Sequence, residues 1–138
     1  MSAKNNAKIK ITIKPHTISR LYEIDQELNN HSKSDIFTPD DISSQMAQKL
    51  RSQGSLLDPA CGTGNLLKFA DLSRHDPIDL YDIKDDYLKS CPCGHNIRKI
   101  CGDFLLEKSD RKYDNIIMNP PYIRCQNLSP QYKTQLKE

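Results

Sequence analysis

No stretch of the chain is apolar for anything near the roughly 18 residues needed to cross a membrane. Residues 1–20 also lack the apolar run of a secretory signal. A cytoplasmic location is therefore expected, and a membrane-spanning or secreted protein is not. Cysteine does not suit a disulfide scaffold: there are five, an odd number, unevenly spread. They read as reduced thiols in a cytosol. Apolar residues are scarce at 36%, which allows a small core with much polar surface around it. Neither sign of charge dominates, since 20 Lys+Arg face 18 Asp+Glu for a net +2. That balance does not by itself announce nucleic acid. There is no internal repeat and no low-complexity run. The 138 residues make one domain at roughly 100–150 residues per domain. Composition thus excludes a collagen-like fibre and a multidomain machine, and says nothing of activity.

One region lacks acids altogether. Between Met1 and Arg20 stand Lys4, Lys8, Lys10 and Lys14 with no carboxylate. Ile9, Ile11 and Ile13 alternate with polar residues there, the period of a half-buried strand, and Pro15 ends it. An edge strand kept soluble by lysines is favoured over a basic arm that touches phosphates. Ile18, Leu21, Tyr22 and Leu28 predict a helix over Thr17–Asn29, followed by a loop at Asn29–Ser32. Phe37-Thr38-Pro39-Asp40-Asp41 reads as a helix start. Thr38 is the expected cap, Pro39 the first helical residue, and the two acids face the positive end of the dipole. Ile42, Met46 and Leu50 form its expected buried stripe, and Gly54 its end.

After Gly54 four short apolar runs each lead into a polar residue. Ser55-Leu56-Leu57 runs into Asp58, Ile78–Tyr81 into Asp82, Lys99–Gly102 into Asp103, and Tyr113–Met118 into Asn119. Strands alternating with helical or loop stretches predict a parallel α/β sheet. Ligands bind beyond the carboxyl ends of such strands, where these four residues stand.

The first strand opens into Asp58-Pro59-Ala60-Cys61-Gly62-Thr63-Gly64-Asn65, ahead of Leu66-Leu67-Lys68-Phe69. Gly62 and Gly64 allow a sharp turn and close approach to a ligand. The third glycine of the dinucleotide fingerprint is missing, and so is the Gly-Lys-Ser/Thr of a P-loop. An acid ahead of the glycines repels a pyrophosphate and suits a cationic group. Asp82, 24 residues after Asp58, reads either as an acceptor for two ribose hydroxyls or as a solvated acid among Asp79, Asp85 and Asp86.

Asn119-Pro120-Pro121-Tyr122 reads either as a plain strand stop or as chemistry. An aromatic amine is a poor nucleophile because its lone pair is delocalised into the ring. Two uncharged acceptors, the Asn119 amide oxygen and the Pro120 carbonyl, can take its hydrogens and aim the lone pair at an electrophile. The prolines fix the backbone that positions them. Tyr122 offers a face on which a flipped base can stack. Cys91, Cys93, His95 and Cys101 are potential zinc ligands. Their spacing departs from the two-residue spacer of structural zinc pairs, so free thiols and no metal are expected.

Together these segments resemble the γ class of N6-adenine DNA methyltransferases that use S-adenosylmethionine. Phe37-Thr38-Pro39 comes first, then the Asp58–Asn65 loop, then Asn119–Tyr122, in that class's order. The match runs from about Phe37 to the end, while residues 1–36 carry no recognisable motif. The resemblance implies a Rossmann-like parallel α/β sheet. It implies that Thr38 contacts the methionine end of the cofactor and that Asp58, Ala60, Gly62 and Gly64 hold its amino-acid part. Asp82 would bind the ribose, Asp103 would accept from the adenine amine, and Phe104 would lie against that ring. Asn119 and Pro120 would hold the target amine and Tyr122 the target adenine.

The family's sheet has seven strands and is followed by a target-recognition domain, whereas this chain ends 16 residues after Tyr122. About four strands are therefore expected. Residues 1–36 would form a basic N-terminal strand and helix, and residues 37–138 the N-terminal half of a catalytic domain. The expected partners are DNA with a flipped adenine and a second polypeptide with the remaining strands and recognition domain. The setting implied is a restriction-modification system at the bacterial nucleoid. A split subunit, a truncated gene and an excised piece remain open. So do an RNA-base or protein-glutamine methyltransferase and a fragment that binds cofactor without turnover.

Overall fold

The computed structural model describes residues 10–13, 37–107, 109–121, 126 and 128–137. Outside these fall Tyr122, Arg124, the expected helix over Thr17–Asn29, and Lys4, Lys8, Lys14 and Arg20 of the N-terminal arm. The chain builds a five-stranded, wholly parallel sheet. Its strands are β1 (Ile11–Ile13), β2 (Gly54–Asp58), β3 (His75–Asp82), β4 (Ile97–Cys101) and β5 (Asn115–Ile116), in the spatial order β1-β4-β3-β2-β5. The parallel α/β architecture is the expected one. The count exceeds the expected four because the arm's alternating isoleucines pair with β4, Ile11 beside Lys99 and Ile13 beside Cys101. That makes β1 an edge strand, as its alternation and lysines suggest.

Both faces of the central strands are buried, the usual state of a parallel sheet. Leu56, Ile78, Leu80 and Cys101 point to one face. There they pack with Leu66 and Leu67 of a 3-10 turn, and with Leu88 of α2 (Asp85–Ser90). Leu57, Tyr81 and Ile100 point to the other, with Phe104 and Tyr113 against them. Asp79 also lies on that second face, in register with Arg98 of β4. It is fully buried rather than a solvated acid, because Arg98, Arg111 and the Tyr113 hydroxyl all bond its carboxylate. An open cleft of about 370 Å³ on this face is lined by Lys10, Thr12, Arg98 and Arg111 among others.

The helix after Pro39 is α1 (Asp40–Ala47), and it departs from expectation at both ends. Pro39, not Thr38, is its cap residue, and no side chain caps it. The Thr38 hydroxyl is engaged by Asn119 instead. Its buried face is centred on Ser43, with Met46 and Leu50 packing on the core and Ile42 left 43% exposed. Gly54 does not end this helix. It opens β2 at φ +107°, where a Cβ would come within 2.6 Å of the Asp114 carboxylate. Asp114 needs that space to accept the Ser55 N–H and hydroxyl, both at 2.8 Å. This clamp docks β5 on β2. A last helix, α3 (Pro130–Gln135), is capped by the Ser129 hydroxyl accepting the Tyr132 N–H.

Along the sheet, β2, β3 and β4 are laid down in one direction, and the chain then returns to place β5 on the far side of β2. Open α/β sheets bind ligands beyond the carboxyl ends of the strands at such a reversal. Asp58 ends β2 there, and Asn119 follows β5.

Candidate active site

Asp58 is the last residue of β2 and is 0% exposed. Its Oδ1 accepts the Ala60 N–H at 3.2 Å, and its buried Oδ2 has no hydrogen-bond partner among the described residues. Burial pushes its pKa from 3.8 up to about 7. The Ala60 N–H pulls the other way, and the nearby Asp82 charge adds to the rise. A carboxyl in this state is poised to accept a cation.

The loop after Asp58 is held from β3. Asp82 ends that strand, and its carboxylate accepts the Gly62 N–H at 2.9 Å and the Lys84 N–H at 2.8 Å. The Cys61 N–H donates to the Tyr81 carbonyl at 2.9 Å. Gly62 and Gly64 both take positive φ, +54° and +86°. The loop is followed by a 3-10 turn over Asn65–Leu67. At Gly64 a Cβ would lie 3.0 Å from Pro92 and 3.4 Å from the Cys91 sulfur, so packing also requires a glycine there. Phe37 covers Gly62 and meets Tyr87 edge to face at 5.9 Å.

Thr38 joins the separate motifs. Its carbonyl accepts Asn65 Nδ2 at 3.0 Å, and its hydroxyl accepts Asn119 Nδ2 at 2.9 Å across 81 residues of sequence. Phe-Thr-Pro, the glycine loop and Asn-Pro-Pro therefore meet at one buried threonine. The bond orients the Asn119 amide, turning its oxygen away from Thr38. Pro120 and Pro121 follow at the exposed surface.

Asp103 lies just beyond β4. Its Oδ1 accepts the Leu105 N–H at 3.0 Å and caps a 3-10 turn over Phe104–Leu106. Its Oδ2 accepts the Tyr132 hydroxyl at 2.6 Å. Phe104 packs edge to face on Tyr81 at 5.1 Å, on the second face of the sheet. Hydrogen bonds thus link Thr38 to Asn65 and Asn119, and Asp82 to Gly62 of the loop that follows Asp58 and Ala60. Asp103 lies beyond the end of β4, and Phe104 is partly buried against Tyr81.

Some contributors carry no signal in the sequence. Asn65 lies inside the glycine motif, but its bond to Thr38 depends on a contact 27 residues away. Tyr132 resembles any surface residue of a short polar helix until its partner is seen. Cys61 and Cys91, 30 residues apart, bring their sulfurs to 3.7 Å, and Cys91 also donates to the Gly62 carbonyl at 3.2 Å. Their shared hydrogen bond holds the Cys91 thiol below its usual range, with Lys99 assisting. The same bond, together with burial, raises Cys61. Cys93 is exposed and Cys101 buried, and none of the four forms a disulfide. Among the described residues, no group of three or more His, Cys, Asp and Glu side chains is placed to hold a metal ion. Nor is any helix among them long and apolar enough to cross a membrane.

Comparison with known proteins falls on this same segment. Residues 27–136 match the family described as the methyltransferase small domain. The chain is 31% identical over 109 residues to the type II methyltransferase M.HincII of Haemophilus influenzae, covering 78% of this chain and 20% of that protein. It is 29% identical over 125 residues to the type II methyltransferase M.VspI of a Vibrio species, covering 80% of this chain and 31% of that protein. The chain therefore spans about a fifth to a third of the length of these curated relatives. No solved structure matches it significantly.

Proposed function

The chain belongs to the methyltransferase small domain family, and from that premise we propose that it transfers a methyl group from S-adenosylmethionine to the N6 amine of adenine in DNA, as part of a larger site-specific methyltransferase. The observation that supports this reading most is the Thr38–Asn119 hydrogen bond, since Thr38 also accepts from Asn65 of the glycine loop and so joins the three motifs. The residues fit the cofactor. A buried carboxylate oxygen lacking a partner among the described residues suits the cationic amino group of its methionine part. Asp82 at the end of β3 suits its ribose hydroxyls, and Asp103 its adenine amine.

When bound, the cofactor supplies an electrophilic methyl group on a sulfonium. Asp58 then binds and orients the amino-acid end, with Gly62 and Gly64 shaping the turn. Asn119 Oδ1 and the Pro120 carbonyl accept the two hydrogens of the target amine and direct its lone pair. Neither is charged, so positioning and dipoles, not a strong base, carry the catalysis. Tyr122 stacks on the flipped base.

A further segment, on this polypeptide or a second one, completes the target site. Two features support this. β5 pairs only with β2 among the described residues, and Ile116 on it and Met118 just after it are 57% and 42% exposed. An apolar strand edge of that kind favours pairing with another strand. The Phe37-Thr38-Pro39 and Asp58–Gly64 motifs favour DNA over tRNA or a peptide as the substrate. The test is methyl transfer from labelled S-adenosylmethionine to duplex DNA, with and without the neighbouring gene product, followed by nucleoside analysis. Label in N6-methyldeoxyadenosine that disappears in Asn119→Ala is the expected result. Label in another nucleoside, or label unaffected by Asn119→Ala, refutes it.

A further inference from the structure

Tyr132 takes no part in the scheme above, yet it is one of the best-anchored polar side chains at the rim. It belongs to α3, the helix that follows the Asn119-Pro120-Pro121 turn, and it is only 5% exposed. Its hydroxyl meets Asp103 Oδ2 at 2.6 Å, within the range of O–H···O⁻ bonds to an ionised carboxylate. Asp103 Oδ1 is held by the Leu105 N–H. Both oxygens of the carboxylate are thereby fixed, one from its own turn and one from a helix 29 residues on. The Tyr132 ring is buried, so its hydroxyl reaches Asp103 from a packed position rather than from solvent. Each carboxylate oxygen has capacity for more than one donor, so the Tyr132 bond orients Asp103 without exhausting it.

We propose that Tyr132 is a positioning residue for recognition of the cofactor's adenine, holding the Asp103 carboxylate in the orientation that accepts from the exocyclic amine. This rests on the reading that Asp103 binds that amine. It draws cofactor recognition from α3, whose first residue lies nine positions after Pro121 of the turn that holds the target amine.

The test uses two ligands, S-adenosylhomocysteine and its deaminated 6-oxo analogue, titrated calorimetrically into the wild-type chain, Tyr132→Phe, Asp103→Asn and the double variant. Tyr132→Phe keeps the ring and its packing, and circular dichroism confirms the fold. Loss of a hydrogen bond that orients a charged acceptor is worth roughly tenfold in affinity. The wild type should prefer the amino ligand. Tyr132→Phe should bind it about tenfold more weakly and bind the deaminated ligand nearly as before, so the preference collapses. The double variant should discriminate no worse than Asp103→Asn alone. Equal weakening of both ligands, as a purely structural role gives, overturns the inference, and so does tighter binding, as a plug gives. A folded wild-type chain that binds neither ligand overturns the underlying reading of the site itself.

Discussion

Replacing Asp58 with Asn should stabilise the protein, and by an amount that depends on pH. The carboxyl is fully buried with one oxygen lacking a partner among the described residues, and its pKa stands at about 7 against an ordinary 3.8. Below pH 3.8 the group is protonated in both folded and unfolded chains and costs nothing. Between pH 3.8 and about 7 the unfolded chain ionises while the folded one holds its proton, so stability falls as pH rises. Above pH 7 the burial penalty is complete. At 1.36 kcal/mol per pH unit the interval amounts to on the order of 4 kcal/mol. Asn keeps the shape and an acceptor for the Ala60 N–H without a charge to bury. Urea denaturation of both proteins at pH 4, 6 and 8, followed by circular dichroism, measures the difference. The two should be close in stability at pH 4, and the Asn variant should be ahead by up to about 4 kcal/mol at pH 8. A constant difference across pH, or a wild type that gains on the variant as pH rises, refutes the reasoning. A residue whose removal helps the fold is being kept for another purpose, as ligand sites often are.

Two further substitutions test the frame around the site. Gly64→Ala places a Cβ 3.0 Å from Pro92 at φ +86°. It should cost about 1–2 kcal/mol for the left-handed backbone alone, read as a lower midpoint in thermal melts with no ligand present. Asp79→Asn leaves Arg98, Arg111 and Tyr113 without their shared carboxylate. The two arginines reach solvent, so the loss should be about 2 kcal/mol, with cofactor affinity nearly unchanged because Asp79 stands three residues before Asp82, back from the carboxyl end of β3.

The strands were legible because each is a short apolar run ending in a polar residue, and a parallel sheet buries both faces. Ser55–Leu57 and Ile78–Tyr81 fall inside β2 and β3 for that reason. The lengths were less legible. β5 is two residues long, although the apolar run of Tyr113–Met118 suggests more. A periodic pattern reports burial, whereas strand pairing depends on the neighbour. The helix ends were misjudged where a tertiary contact outweighs local propensity. Thr38 has the right chemistry for a cap, but its hydroxyl is taken by Asn119. Gly54 has the right chemistry for a helix end, but Asp114 requires it at the start of β2. The packing demand at Gly64 leaves no trace in the sequence, since only the fold brings Pro92 beside it. The site's acids stood out because they follow strands. Tyr132 did not, since a single long-range hydrogen bond leaves no periodicity.

If the Asp58 carboxylate holds the methyl donor, its loss must weaken binding even though it strengthens the fold. S-Adenosylhomocysteine titrated calorimetrically at pH 7.5 into the wild type and Asp58→Asn separates the two effects. One site per wild-type chain is expected, and binding at least roughly tenfold weaker in the variant, the scale of a lost charged hydrogen bond. Equal affinity in the two proteins, or no heat from the folded wild type at millimolar ligand, would contradict it.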